Sequence, residues 1–223
     1  MSRNTLTSGL YAITDEQLAA PAQLTRSVSE AIAGGASVIQ YRNKQGTAPQ
    51  RQQQAAALLQ LCQQQHVPLI INDDVALAAS VKADGVHLGK TDATLEQARQ
   101  QLGPQAIIGV SCYNDLERAV RAAQAGADYV AFGRFFSSHS KPDAQAAETV
   151  LLRQARRQLQ LPIVAIGGIT PENGGSLLAA GADLLAAIHG VFGQPDIRAA
   201  ASAYTRLFPT RSPTSGLPPF TVN

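Results

Sequence analysis

Two acidic stretches in the first half of the chain carry residue types that could do chemistry. Asn72, Asp73 and Asp74 follow the apolar run Leu69–Ile71, and Lys90 and Asp92 follow the run Val86–Leu88. Each run reads as a buried strand opening into a polar loop, with a small helix over 75–81 between them. If the strands are parallel neighbours joined by that helix, their ends lie about 5 Å apart on one sheet edge. Asp73 and Asp92 could then share one oxygen-loving cation, and the arrangement suggests a magnesium site. Asp73 or Asp74 is also a good N-cap for the following helix, the simpler reading of this stretch taken alone.

The elements that must position these residues can be counted. Candidate strands lie at 10–13, 38–41, 69–71, 86–88, 107–110, 129–132, 163–166 and 184–188. Helical patterns alternate with them at 24–33, 49–65, 75–81, 95–102, 116–125, 149–159 and 176–180, and an eighth runs over 197–207. Eight βα units in a chain of 223 residues favour an α/β fold closed as a single (β/α)8 TIM barrel over an open sheet. A degenerate repeat supports the count: Gly34–Ser37, Lys82–Gly85, Ala125–Asp128 and Ala180–Asp183 resemble one another, and each marks a helix turning into a strand. Its glycines are expected to end helices in the left-handed conformation. The barrel is assigned to residues 1–208, and the Pro- and Ser-rich 209–223 to a short disordered C-terminal tail.

In such a barrel the loops after the strands form the active face. Gathered there are Gln40, Arg42 and Lys44; Asn72, Asp73 and Asp74; His87, Lys90 and Asp92; and Ser111. The last three loops add Ser138, Ser140 and Lys141, then Gly167 and Gly168, then Ile188 and His189. The paired glycines precede a short helix starting near Pro171 or Asn173 and leave backbone N–H groups for an anion. Loops seven and eight are the usual phosphate site of this fold. Arg42, Lys44 and Lys141 stand beside the two acidic loops, and cations alternating with carboxylates suit a magnesium-bound pyrophosphate. His87, between Val86 and Leu88, reads equally as a hydrogen-bonded barrel residue. The pair Phe135 and Phe136 reads as packing at a loop base.

Composition excludes several classes. No apolar run approaches the roughly 20 residues needed to cross a bilayer, and no secretory leader pattern opens the chain. A cytoplasmic protein is expected. Cys62 and Cys112 lack the spacing of a zinc site or a disulfide framework and are expected as reduced thiols. A formal charge of +2 implies neither nucleic-acid nor membrane binding. Small-molecule substrates are the expected partners, and a homo-oligomer is left open.

Six ordered motifs make the chain recognisable: Leu10–Asp15, Gln40–Lys44, Ile70–Asp74, Gly85–Gly89 with Asp92, Ser137–Lys141 and Ala165–Ile169. Together they resemble the thiamine phosphate synthase family, collinearly from about Leu10 to Phe208. The resemblance implies a transferase that condenses 4-amino-2-methyl-5-hydroxymethylpyrimidine diphosphate with 4-methyl-5-(2-hydroxyethyl)thiazole phosphate, giving thiamine monophosphate and pyrophosphate with one Mg²⁺. It implies that Arg42, Lys44, Asn72 and Lys141 hold the diphosphate and that Asp73 and Asp92 bind the metal. Gln40, His87 and Ser111 match pyrimidine-side positions; Ser138, Ser140, Gly167, Gly168, Ile188 and His189 match the thiazole-phosphate side. Arg42, Lys44, Ser111 and Lys141 are the expected catalytic residues.

The chain departs from the commonest family pattern at three places. Ser138 and Ser140 replace Thr, keeping the hydroxyl, and His189 stands where Ser is frequent, so its contact with phosphate is by side chain or only by backbone. Two other functions fit the barrel: a thiazole tautomerase-like isomerase, and a non-catalytic phosphate-ligand sensor. The isomerase has no diphosphate to hold, and the cation and carboxylate set argues against it.

Overall fold

The computed structural model describes residues 6–18, 22–90, 92–137 and 147–209. Ser138, Ser140, Lys141 and the tail over 210–223 lie outside the described residues.

Short β-branched and aliphatic runs, each bounded by Gly, Pro, Asn or Asp, form the strands β1 (Gly9–Ile13), β2 (Ala36–Tyr41), β3 (Leu69–Asn72), β4 (Gly85–Leu88), β5 (Ile107–Tyr113), β6 (Tyr129–Phe132), β7 (Ile163–Ile166) and β8 (Leu184–Ala187). All pair in parallel in sequence order, and β1 also pairs with β8, so the sheet closes into an eight-stranded barrel. Between them run α1 (Leu24–Ala33), α2 (Ala48–Gln64), α3 (Val75–Val81), α4 (Leu95–Leu102), α5 (Leu116–Gln124), α6 (Thr149–Gln158) and α7 (Pro171–Ala179). A four-residue helix, α8 (His189–Phe192), and then α9 (Ile197–Thr205) follow the last strand. The sequence reading misses α8, because four residues are too few to show a helical period. For α7 the helical pattern begins only at 176, whereas the start near Pro171 expected from the paired glycines is the one found. The turn from Pro171 is fixed locally, by Pro at the first helical position and a Thr170/Asn173 capping box.

The polar residues at loop ends hold helix starts. Asp74, Asp115 and Asp196 accept the N–H of Leu77, Arg118 and Ala199, and Thr47 and Thr94 close capping boxes. Asp74 is thus the cap of α3, which frees Asp73 for other work.

The repeat at the helix-to-strand junctions has a second purpose besides turning the chain. Gly35, Gly126 and Gly181 are left-handed, and Lys82 takes that conformation in the remaining copy. Where the repeat ends in Asp, the carboxylate reaches the neighbouring strand: Asp84, Asp128 and Asp183 each accept a backbone N–H at 2.8 Å, from Leu69, Ile108 and Ile163. Arg99 and Arg156 pair with Asp128 and Asp183. These carboxylates lock the N-terminal face of the barrel, opposite the active loops.

Two cores result from strand alternation. Outward residues such as Leu10, Ile39, Ile71, Val86 and Ile108 pack under the helices. Inward residues, among them Ile13, Val38, Ile70, Ile107, Val164 and Leu184, fill the barrel. Four inward residues are different in kind: Tyr11, Gln40, His87 and Tyr129 are buried among them. Cys62 and Cys112 are buried free thiols, and burial pushes both up to about 12, which makes them poor nucleophiles. Phe135 is buried in the outer core. Among the described residues no helix is long and apolar enough to cross a membrane.

Candidate active site

Parallel pairing of β3 with β4 puts Asn72 beside His87, and the backbone beyond that pair brings the two acidic loops together. Asp73 donates its N–H to the His87 carbonyl at 2.9 Å while adopting a left-handed φ of 63°. A non-glycine residue held there is strained, and such strain persists where the surrounding structure fixes it. Asp92 folds back to accept the Gly89 N–H at 2.5 Å. A side chain at Gly89 would meet Asp92 Oδ2 at 2.7 Å and lie 3.8 Å from Asp73 Oδ1. The two carboxylates therefore converge over Gly89. Burial, then the hydrogen bond and the charge of Asp92, hold the Asp73 carboxyl above the usual range, with Lys44 opposing.

A pair of oxygen donors in mutual repulsion is a site that wants a cation. Among the described residues no group of three or more His, Cys, Asp and Glu comes together. A cation between Asp73 and Asp92 would thus complete its shell with water and substrate oxygens, the habit of Mg²⁺. The donor set fits that ion.

Beside the pair opens a cavity of about 570 Å³ lined by Asn43, Lys44, Arg51, Asn72, Asp73 and Asp74. Lys44 Nζ stands 3.5 Å from Asp73, and Arg51 on α2 stands 3.3 Å from Asp74. Arg42 is turned to the loop after β1, 2.9 Å from Asp15 and 3.7 Å from Glu16. Arg42, Lys44 and Arg51 are thus each already facing a carboxylate. Arg118 on α5 supports the site from outside: Nε donates to the Ser111 carbonyl at 2.8 Å and Nη2 to the Gly89 carbonyl at 2.9 Å. It ties β5 to the loop that holds Asp92.

Inside the barrel, Gln40, Tyr11, Tyr129, His87 and Ser111 form one hydrogen-bonded line. Gln40 Nε2 donates to Tyr11 Oη at 2.8 Å, and the two tyrosine oxygens are 2.8 Å apart. Tyr129 Oη is 2.9 Å from His87 Nδ1, and His87 Nε2 is 2.8 Å from Ser111 Oγ. Burial pushes His87 down to about 4, with the Asp92 charge opposing, so its imidazole is neutral at pH 7. Burial raises both tyrosines, and they stay protonated.

On the other side of the mouth Gly167 and Gly168 have φ of 103° and 62°. A Cβ on Gly168 would overlap the Ser137 carbonyl of the loop after β6. Phe136 donates its N–H to the Gly167 carbonyl at 3.0 Å, so this loop lies directly on the glycines. From below, Asn173 Nδ2 donates to the Gly168 carbonyl at 3.0 Å and Tyr204 Oη to the Ile169 carbonyl at 2.6 Å. Gly190, in the first turn of α8, closes on Ile169 from β8. His189 is exposed, and its imidazole folds against Gly193 of its own turn. A glycine loop facing a helix start is an anion cradle.

Comparison with known proteins decides the family. The model of the thiamine monophosphate synthase family matches residues 10–191. The chain belongs to that family. It is a transferase of thiamine biosynthesis that forms thiamine phosphate. It is 54% identical over 202 residues to the thiamine-phosphate synthase of Nitrosococcus oceani, covering 91% of this chain and 93% of that one. It is 52% identical over 205 residues to that of Alcanivorax borkumensis, covering 91% and 94%. The solved thiamine phosphate pyrophosphorylase of Pyrococcus furiosus superposes with a TM-score of 0.82 at 35% identity, over 89% of this chain and 94% of that one.

For this thiamine monophosphate synthase family member, sequence reasoning named Gln40, Lys44, Asn72, Asp73, His87, Asp92, Ser111, Gly167 and Gly168, and the fold gathers all of them at one end of the barrel. It missed Tyr11 and Tyr129, which join Gln40 to His87, and Arg51, Arg118 and Tyr204, which come from helices. Strand parity carried the signal for the tyrosines: Tyr11 is two residues before inward Ile13, and Tyr129 starts its strand in step with Ala131. Nothing in spacing marks a helix arginine that reaches two carbonyls.

Proposed function

We propose that this barrel carries out the condensation named above, with one Mg²⁺ held by Asp73 and Asp92. The observation that carries the reading is the convergence of those two carboxylates over Gly89 beside Lys44 and the open cavity. When bound, the ion supplies charge neutralisation to a diphosphate leaving group. Asn72 and Lys44 line the path of the diphosphate, and Arg51, absent from the sequence reading, joins them. An arriving diphosphate competes with Asp15 for Arg42 and with Asp73 for Lys44, exchanging protein carboxylates for phosphate oxygens. Lys141 is assigned to the same anion.

Departure of diphosphate puts positive charge on the pyrimidine methylene, which the electron-rich aminopyrimidine delocalises. The thiazole nitrogen then closes the new C–N bond. Gln40, His87 and Ser111 orient the pyrimidine, and the neutral His87 adds no charge beside a developing cation. The backbone around Gly167, Gly168, Ile188 and His189, with the hydroxyls of Ser138 and Ser140, holds the thiazole phosphate. The His189 contact is assigned to its backbone, since its ring lies against Gly193. The protein positions both partners and forms no covalent intermediate.

Pyrophosphate release with both substrates and Mg²⁺ tests this directly. Release that requires the thiazole phosphate supports it. Turnover of a thiazole carboxylate alone, with no pyrophosphate formed, replaces it with the isomerase reading.

A further inference from the structure

The line of hydrogen bonds through the barrel has a direction, and one side-chain amide sets it. A tyrosine hydroxyl has one hydrogen to give, and a neutral imidazole has one N–H and one bare nitrogen. Gln40 donates to Tyr11 Oη at 2.8 Å. Tyr11 therefore gives its hydrogen to Tyr129, its other neighbour at 2.8 Å. Tyr129 accepts there and gives its own hydrogen to His87 Nδ1 at 2.9 Å. With Nδ1 an acceptor, the imidazole proton sits on Nε2 and is donated to Ser111 Oγ at 2.8 Å.

We infer that Tyr11 and Tyr129 are positioning residues: they pass the donor sense of the Gln40 amide to His87, fix it as the Nε2–H tautomer, and so turn the Ser111 hydroxyl hydrogen outward to an acceptor atom of the pyrimidine diphosphate. The assignment of that substrate rests on the function proposed above; the tautomer does not.

Three features make the line a built one. The two tyrosines are buried, 1% and 0% exposed, so water does not compete for the bonds between them and their neighbours. The Tyr129 ring has its place because β5 carries glycine opposite: a Cβ on Gly109 would overlap the ring. His87 stacks on Tyr129 with centroids 5.6 Å apart, and Tyr11 tilts against it at 5.9 Å. Reversing the Gln40 amide would reverse every bond, place the proton on Nδ1, and draw the Ser111 hydrogen back to His87. Ser111 would then face substrate as an acceptor only, the wrong sign for an anion.

The test has a spectroscopic arm and a kinetic arm. Nitrogen-15 NMR of ring-labelled histidine in the substrate-free full chain, with His87 assigned by the loss of its signals in His87→Gln, reads the tautomer. Nε2–H at pH 7.5 is expected, and Nδ1–H overturns the proposal whatever reaction the protein catalyses. Tyr129→Phe keeps the ring and removes the relay, so the His87 signals should move toward a mixture of tautomers; an unchanged pure tautomer overturns it. In kinetics, Tyr129→Phe should lower kcat/KM for the pyrimidine diphosphate about tenfold, the scale of one hydrogen bond. In a Ser111→Ala background the same change should cost less than about twofold, since the hydrogen it aims is gone. Equal losses in both backgrounds would mean that Tyr129 is merely structural and would overturn the proposal. If Nε2–H is found and no pyrophosphate is released, the function proposed above fails and this arrangement stands.

Discussion

Acid should cost this barrel stability through His87, and the size of the cost follows from its burial. An exposed histidine titrates near 6.5, whereas His87 is held down to about 4 by burial. Its folded form thus binds fewer protons than its unfolded form between those values. Stability from this group is intact above 6.5, falls as pH drops toward 4, and levels off below. At ~1.4 kcal/mol per pH unit, the gap amounts to roughly 3 kcal/mol, a large fraction of the stability of an ordinary domain. Carboxylates titrate in the same range, so the comparison is with His87→Gln, which keeps a polar side chain and cannot titrate. Urea unfolding at pH 7.5 and pH 4.5 gives one stability difference for each protein. The parent should lose about 2 to 3 kcal/mol more than the variant over this interval. Parallel losses would refute the reasoning, because they would mean that His87 accepts a proton in the folded barrel without penalty.

The other perturbations address the mouth of the barrel. Asp73→Asn and Asp92→Asn should each lower Mg²⁺-dependent turnover by about a hundredfold or more, while the loss of carboxylate repulsion leaves thermal unfolding of the metal-free protein unchanged or raised; near-normal rates in both would remove the metal site. Arg118→Met should raise the Mg²⁺ concentration for half-maximal rate several-fold, roughly the loss of one or two charged hydrogen bonds, through Gly89 and Asp92. Gly168→Val should raise KM for both substrates rather than for the thiazole phosphate alone, because its side chain would displace Ser137 in the loop that leads to Lys141. Tyr204→Phe should lower stability by about 1 kcal/mol and raise KM for the thiazole phosphate several-fold, measured by unfolding and by steady-state kinetics.

Much of this was legible in the sequence, for physical reasons that differ by element. Parallel strands buried on both faces read as continuous apolar runs, so all eight strands could be located, and the junction repeat supported their count. β5 runs on to Tyr113, beyond the apolar run, through a half-buried Ser111 and a buried Cys112 to an exposed Tyr113, so the apolar run alone marks its end too early. Asp73 and Asp92 could be placed on neighbouring loops because the order of strands alone brings them together. Arg42 shows where that reasoning ends: its place after β2 was readable, yet its pairing with Asp15 depends on the path of the loop after β1, which no periodicity encodes. Tyr204 is a further case, since 35 residues separate it from the carbonyl it holds.

That last contact bears on how the protein is made. The carbonyl of Ile169, next to Gly167 and Gly168, is held by a hydroxyl from α9, and Thr205 of the same helix bonds to Gly34, 171 residues earlier. Barrel closure likewise needs β8 to reach β1. A ribosome delivers residues 1–196 before any of α9 exists. The acidic loops can therefore meet before α9 is made, while the backbone beside Gly167 and Gly168 gains its Tyr204 support only after α9 has been delivered.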